Sequence, residues 1–138
     1  MENKLKHLEF IQGTISRMAS NLFYLKGWTV TLIAALFALS VKDAERAYFS
    51  IAFLAVILFW LLDGYFLSLE RCYRALYDEV RKKDESQIDF SMDFSVFMKA
   101  QRNTWAASLF SKSIFLYYGG LAAIMLGAMY IIIETANG

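Results

Sequence analysis

The chain has 138 residues, of which 58% are hydrophobic and 17% aromatic, and its formal net charge is +1. Soluble domains are nearer about 45–50% apolar, so the excess favours membrane spans. The near-zero net charge excludes a global field that would attract nucleic acid. A single cysteine, Cys72, excludes an intramolecular disulfide, and a single histidine, His7, leaves no Cys/His cluster for zinc. We therefore expect no cofactor and no metal.

Residues 1–21 are predicted to form an N-terminal amphipathic helix. Charged residues interrupt the apolar core that a cleaved signal peptide needs. Spacings of three and four place the apolar residues in one helical stripe. The stripe comprises Leu5, Leu8, Ile11, Ile15, Met18 and Leu22. Such a helix lies on the membrane, packs on a cytoplasmic lobe, or is buried in a small bundle, and the sequence leaves these placements open.

Residues 22–68 are predicted to form the first transmembrane hairpin. The first span covers about residues 22–40, the second about 47–67, and residues 41–46 form a short polar turn. Each apolar block approaches the roughly 20 residues that cross about 30 Å of hydrocarbon. Each block also carries one charge, Lys26 in the first and Asp63 in the second.

Residues 69–111 are predicted to form a cytoplasmic helical hairpin. The apolar pattern narrows to a stripe, which indicates that the second helix leaves the lipid and continues to about Lys83. This stripe comprises Leu69, Cys72, Tyr73, Leu76, Tyr77 and Val80. An acidic loop at 84–93 is expected to cap a second long helix that starts near Phe94. The third transmembrane helix, at 112–134, is expected to follow without a break.

Lys and Arg residues are distributed unevenly between the predicted loops. Four lie up to Lys26, two in the 41–46 turn, eight between Arg71 and Lys112, and none after Glu134. Short loops rich in Lys and Arg are normally cytoplasmic. We therefore expect an all-α membrane protein with three transmembrane helices, a cytoplasmic amino terminus and a carboxyl terminus outside the cytoplasm.

Lys26 and Asp63 are candidates for an intramembrane charge pair or gate. They are separated from the middle of the turn by similar numbers of residues, so an antiparallel hairpin brings them to similar depth. An unpaired charge in lipid costs roughly a few kcal/mol or more, which makes such residues functional candidates. A structural ion pair, a snorkelling Lys26, and a part in a gate or ion path all stay open.

Gly119, Ala123 and Gly127 are candidates for helix packing in the third span. Their four-residue spacing leaves one helix face nearly bare of side chains. Faces of this kind let transmembrane helices approach closely. The pattern does not distinguish packing within one protomer from packing between protomers.

Basic residues of the 69–111 segment are candidates for contacts with an anionic ligand or lipid. They are Arg71, Arg74, Arg81, Lys82, Lys83 and Arg102. Aromatic residues lie among them, as in proteins that bind single strands. Nearby acidic residues almost balance their charge, so an ordinary solvated surface is the alternative. No phosphate loop, metal-ligand spacing or nucleophile beside a base is present in the sequence, and we do not expect an enzyme.

Three runs near the amino terminus carry a resemblance to a known family: His7 to Gln12, Arg17 to Asn21, and Leu25 to Thr31. Over residues 7–39 the chain resembles small bacterial membrane proteins that include the membrane effector of the Hailong anti-phage system. The resemblance implies a homo-oligomeric ion channel in the bacterial inner membrane, with a tetramer as the expected form. It also implies gating by a single-stranded oligonucleotide from a partner nucleotidyltransferase. No ligand-binding residue transfers with it.

Three functional hypotheses follow. The leading one is a homo-oligomeric effector whose cytoplasmic lobe senses a ligand and whose spans open a conductance. The second is a membrane anchor or assembly subunit for a soluble partner enzyme. The third is a small toxin or holin-like protein, for which expression alone would kill the cell.

Overall fold

All regular structure in the described residues is helical. The computed structural model of the chain describes residues 1–43, 46–100 and 103–138, and only the backbone at 42 and 43. Four α-helices follow one another: α1 (Glu2–Asp43), α2 (Arg46–Val80), α3 (Trp105–Leu109) and α4 (Lys112–Asn137). Short 3₁₀ helices cover Glu85–Gln87 and Ser95–Lys99. The prediction of an all-helical chain is confirmed for the described residues.

The chain divides into two compact units. The first, which we call the lobe, contains residues 1–23 and 64–108, and the second, the apolar unit, contains residues 24–63 and 109–138. Both α1 and α2 pass from one unit into the other as unbroken helices. The absence of proline from the sequence permits this continuity, since proline inside a helix removes a hydrogen bond and clashes with the preceding turn.

Three helices are long and apolar enough to cross a membrane, as the sequence predicts: α1, α2 and α4. With 42 and 35 residues, α1 and α2 measure about 63 Å and about 52 Å at 1.5 Å per residue. Both exceed the roughly 30 Å of a hydrocarbon core. Within their most apolar windows only 11% of α1 residues, 28% of α2 residues and 11% of α4 residues are buried. Most of their apolar surface therefore faces outward.

In the apolar unit, α1 runs antiparallel to α2 and parallel to α4. Phe37 packs its ring edge-on against Phe49 near the turn, with ring centroids 5.5 Å apart. Further from the turn, Lys26 meets Asp63, so the two helices pair in opposite chain order. Tyr117 of α4 bonds the Lys26 carbonyl of α1, and an apolar groove further along is lined by residues 30–37 of α1 and 121–128 of α4, so residue numbers increase in the same direction along both helices. The carboxyl terminus of α4 thus lies at the same end of the unit as the α1–α2 connection.

The lobe has a small apolar core formed by α1 and α2. Ile11 and Ile15 of α1 pack with Leu76 and Val80 of α2, and all four are buried. Leu5, which the sequence assigns to the same stripe as Ile11, is instead 59% exposed. The amino-terminal segment is thus part of the lobe, where Ile11 and Ile15 pack on α2.

The apolar stripe predicted on α2 is confirmed. Leu69, Cys72, Leu76 and Val80 are buried, and Tyr73 and Tyr77 are half-buried. Glu70 departs from the solvent-facing role that the sequence suggests, because it is only 8% exposed. Arg74 donates to its Oε1 atom at 2.8 Å, which supplies a counter-charge at the edge of the lobe.

The prediction of a second long helix starting near Phe94 was wrong, and so was its unbroken passage into the third span. Among the described residues between Phe94 and Ser111, the helices are the short ones at 95–99 and 105–109, and α4 begins separately at Lys112. The cause lies in residues 89–95, where side chains bind the backbone locally. Oδ1 of Asp89 accepts from the Ser91 amide, Oγ of Ser91 from the Asp93 amide, and Oδ1 of Asp93 from the Ser95 amide. Such bonds compete with helix formation.

The described residues between α2 and α4, which we call the returning segment, are tied to α2 by a second set of polar contacts. Oγ of Ser68 donates to the Asn103 carbonyl at 2.5 Å, and Nδ2 of Asn103 donates to the Phe97 carbonyl at 3.1 Å. Asn103 is 9% exposed, so these bonds are shielded from water. They hold Asn103 against Ser68 of α2 and tie it to Phe97.

Glu85 caps the start of α1 from more than 80 residues away. Its Oε1 accepts from the Asn3 amide at 2.9 Å and its Oε2 from the Lys4 amide at 3.1 Å. These amides belong to the first turn, where a helix leaves its donors without internal partners. The Met1 ammonium also pairs with this carboxylate, and together with the two amides it lowers the pKa of Glu85.

We expect Glu85→Ala to loosen the first turn of α1. A carboxylate with a lowered pKa contributes stability above its ordinary pKa of about 4.3, and the contribution is lost as the pH falls through the lowered value. Hydrogen-exchange protection of the Asn3 and Lys4 amides should fall several-fold in the variant at pH 7, with the wild type approaching it below about pH 4. Asp84→Ala is the matched control, because Asp84 makes no side-chain cap bond. Equal losses in both variants would contradict the cap.

Candidate functional site

Lys26 of α1 and Asp63 of α2 form a salt bridge inside the apolar unit. The Lys26 Nζ donates to Oδ2 of Asp63 at 2.8 Å. The Asp63 side chain is fully buried, whereas the Lys26 side chain keeps 30% exposure. Two charges in an apolar environment offset the cost of their burial only when they meet at close range. The structure brings together the two charges that the sequence places at similar depth.

Two tyrosines of α4 complete the surroundings of the pair. The Tyr117 hydroxyl donates to the Lys26 carbonyl at 2.9 Å, and the Lys26 Nζ lies 5.4 Å from the Tyr117 ring centroid, within cation–π range. The Tyr118 hydroxyl donates to the Phe59 carbonyl at 3.3 Å, one helical turn before Asp63. All three long helices thus meet at the level of the salt bridge.

The pair leaves one acceptor unused. Oδ1 of Asp63 is buried and has no hydrogen-bond partner among the described residues. The side chain of Tyr118 lies close enough to Asp63 to interact with it electrostatically. Tyr118 also interacts with the buried Thr29. A buried acceptor without a donor is unfavourable by about 1–3 kcal/mol, and more when it is charged. Oδ1 of Asp63 is therefore an unused acceptor at the level of the salt bridge.

Comparison with known proteins adds no assignment to this geometry. No family model, curated protein or solved structure matches this chain. Among the described residues, no group of three or more His, Cys, Asp or Glu side chains is placed to hold a metal ion.

Gly119, Ala123 and Gly127 lie on the exposed face of α4. The opposite face buries Ile114, Tyr118 and Met125 within the protomer. A Cβ atom added to Gly119 or Gly127 would meet nothing within 4 Å. These small residues therefore do not pack inside the protomer, and their face is open to lipid or to a second copy.

Most of the predicted anion contacts in α2 and in the turn after it already have partners. Three of the basic residues form ion pairs with an acid on the lobe: Arg74 with Glu70 at 2.8 Å, Arg81 with Asp78 at 3.3 Å, and Lys83 with Glu79 at 3.7 Å. Arg71 also makes an interaction. Lys82 is exposed and forms no ion pair with a described residue, and Arg102 lies outside the described residues. The basic face is thus compensated by acids.

Sequence reasoning missed the contributions of Tyr117, Tyr118 and Trp60 to this site. Two adjacent tyrosines early in a predicted span were an available signal, because hydroxyl-bearing rings at a span end usually have a polar partner. Trp60 is half-buried and donates from Nε1 to the Leu109 carbonyl at 3.0 Å. Its indole therefore fixes the start of α4 to α2.

A double-mutant cycle on Lys26 and Asp63 tests the coupling of the pair. Removing one partner of a buried ion pair costs about 3–5 kcal/mol, and we expect the low end because Lys26 is partly exposed. Asp63→Leu keeps the side-chain shape, and Lys26→Met keeps most of the length. We predict that each single variant lowers the melting temperature in detergent and that the double variant is more stable than either.

Leu62→Met is the matched control, because Leu62 neighbours Asp63 but is 45% exposed. Losses that simply add in the double variant would show that the two side chains act independently.

Proposed function

We propose that this chain is a homo-oligomeric membrane effector that forms a ligand-gated ion channel, with the Lys26–Asp63 pair in its gate. The three long helices cross the bacterial inner membrane, with the amino terminus in the cytoplasm and the carboxyl terminus outside it. The observation that carries the proposal is a buried salt bridge in helices whose outer surface is apolar. Ionisable residues in such a setting mark ion or proton paths more often than chance.

The proposed gate works by separating two charges. In the closed state, Lys26 and Asp63 neutralise one another and the surrounding apolar walls keep the path dry, as in a constriction that gates by dewetting. In the open state, the two charges part and water enters between them. The unused Oδ1 atom of Asp63 then becomes a point at which a permeating cation binds.

Helical continuity supports transmission from the lobe to the gate. Lys26 and Asp63 lie on α1 and α2, the two helices that extend from the lobe into the apolar unit without a break. A rigid helix moves as one body, so a ligand that reorients its lobe end biases the pair. We propose that the lobe is the cytoplasmic sensor.

The open face of α4 supports self-association. Gly119, Ala123 and Gly127 would let α4 of one copy approach a helix of another closely, because no side chain intervenes. We propose a tetramer, in which these faces are covered by neighbouring copies. The chain would bring no catalytic group to this assembly.

The resemblance over residues 7–39 supports a role in anti-phage defence with a nucleotidyltransferase partner. A single-stranded oligonucleotide is the corresponding proposed ligand. Its phosphates would replace the acidic partners of Arg74, Arg81 and Lys83. Arg71, Lys82 and Arg102 are the remaining proposed contacts. Exposed ion pairs of the kind that Arg81 and Lys83 form are worth only about 0–1 kcal/mol, so exchanging their partners costs little.

Potassium flux from liposomes tests the proposal. Purified protein is reconstituted with entrapped potassium, and flux is measured with and without random-sequence single-stranded hexanucleotides of DNA and of RNA. We expect flux that differs between these conditions, and Asp63→Leu should change the flux of the closed state at least several-fold because the pair no longer forms. Absence of flux in every condition, from intact oligomers, would reject the channel and favour a membrane anchor for a soluble enzyme.

Two matched comparisons sharpen this experiment. Asp78→Asn removes a carboxylate from an exposed ion pair of the lobe and should leave basal flux unchanged. Ala123→Leu puts bulk on the open face and should reduce both oligomer content and flux, whereas Ile124→Leu, at a neighbouring exposed position, should reduce neither. Equal oligomer loss in the last two variants would contradict the proposed interface.

A further inference from the structure

The lobe contains a polar cleft that the proposed channel does not use. Its volume is about 200 Å³, below the roughly 300–1,000 Å³ of pockets for drug-sized ligands. Its polar lining is His7 from α1, Glu79 from α2, Lys83 from the turn after α2, and Asp89, Ser91 and Asp93 from the returning segment. The apolar part of the wall includes Leu76, Val80 and Phe97. The cleft thus combines charged groups with a short apolar surface.

Carboxylates dominate the charge of this cleft. Three acidic side chains face one lysine, Lys83, whose Nζ lies 3.7 Å from Oε1 of Glu79. A hydrogen bond from the Ser91 amide lowers the pKa of Asp89, assisted by Lys83, and a bond from the Ser95 amide lowers the pKa of Asp93. Both carboxyls are therefore ionised at neutral pH. With a neutral histidine the lining carries an excess of two negative charges, which disfavours an anion and favours a cation.

His7 supplies an independent indication of a ligand. Its side chain is 1% exposed, and its Nε2 lies 2.8 Å from the Ser91 carbonyl, an acceptor, so Nε2 carries the hydrogen in the neutral ring. Nδ1 is then a bare acceptor. It is buried and has no hydrogen-bond partner among the described residues. A donor is missing at the wall of a negatively charged cleft.

We propose that this cleft binds a small organic cation of the alkylammonium class. An ammonium group has three N–H donors and no acceptor, which matches carboxylates on the returning segment together with Nδ1 of His7. The alkyl chain would lie on Leu76, Val80 and Phe97. A metal ion is a poorer match, because no three His, Cys, Asp or Glu side chains of the described residues are placed to coordinate one.

Occupancy would join the three segments that form the lobe. His7, Glu79 and Asp93 come from α1, α2 and the returning segment, and a ligand that bridges them stabilises their association by mass action. The binding site stands on the lobe's own residues. It therefore does not depend on whether the apolar unit conducts ions, and a failed flux experiment leaves it untouched.

Titration with 1,4-diaminobutane tests the proposal. The full-length chain in detergent micelles is titrated by calorimetry, with 1,4-butanediol as the neutral analogue and inorganic phosphate as the anion. Because His7 is the one histidine of the chain, its ¹⁵N ring signals report the site without ambiguity. We expect saturable binding of the diamine with a shift of the Nδ1 resonance, and no binding of butanediol or phosphate.

Substitutions inside and outside the cleft distinguish specific binding of the diamine from a general effect of surface charge. His7→Gln keeps a donor toward the Ser91 carbonyl and deletes Nδ1, and Asp93→Asn keeps an oxygen for the Ser95 amide and deletes a charge. Each should weaken diamine binding about tenfold or more, as expected for a charge-assisted hydrogen bond. Asp78→Asn removes an acid outside the cleft and should leave it unchanged.

Three results would overturn the proposal: no saturable binding, equal binding of butanediol, or equal weakening by Asp78→Asn and Asp93→Asn. Melting temperatures of the variants guard against misfolding as the cause of a loss. If His7→Gln fails to fold, Asp93→Asn alone decides the outcome.

Discussion

Two opposite charges in an apolar environment have to stay together, and this constraint organises the apolar unit. Taking one carboxylate or ammonium out of water costs several kcal/mol even after relaxation, so Asp63 is tolerable only beside Lys26. The pairing fixes the register of α1 against α2, because a shift by one residue turns one partner away. The α4 tyrosines then bind carbonyls of both helices at the same level, which sets the register of the third helix. The charge pair is thus both a structural constraint and the proposed gate.

The lobe is built on a different principle, with few apolar contacts and many short polar ones. Its core rests on four buried aliphatic residues, while the returning segment is held by local side-chain bonds and by contacts such as Ser68 with Asn103. Segments with few buried contacts open at low free energy and are suited to ligand response. The acidic cleft lies against this segment, and α1 and α2 continue from the lobe toward the gate. A ligand there would contact the segment that these polar bonds hold in place.

Apolar runs predicted the helical class, the three long helices and the α2 stripe, because burial and span length depend on local composition. The proximity of Lys26 and Asp63 also followed from counting residues on either side of a short turn. The irregular connection between α2 and α4 could not be predicted in this way. Helical spacing of apolar residues carries no information about the local side-chain bonds of Asp and Ser that replace the helix. The hydrogen bonds of Tyr117, His7 and Glu85 could not be predicted for another reason. Their partners lie more than 80 residues away, and no periodicity of one sequence reveals such pairs.

The central claim is that lipid covers the outer surface of the apolar unit around a buried charge pair, and cysteine accessibility measures this most directly. In a Cys72→Ser background, single cysteines replace exposed Leu32, Leu58 and Ile124, and Lys82 of the lobe serves as the positive control. A membrane-impermeant maleimide is applied to opened membrane vesicles and to detergent-solubilised protein treated with a denaturant. The account predicts that the Lys82 position labels in intact bilayers and that the other three label only after denaturation. Rapid labelling of all four positions in intact bilayers would contradict it.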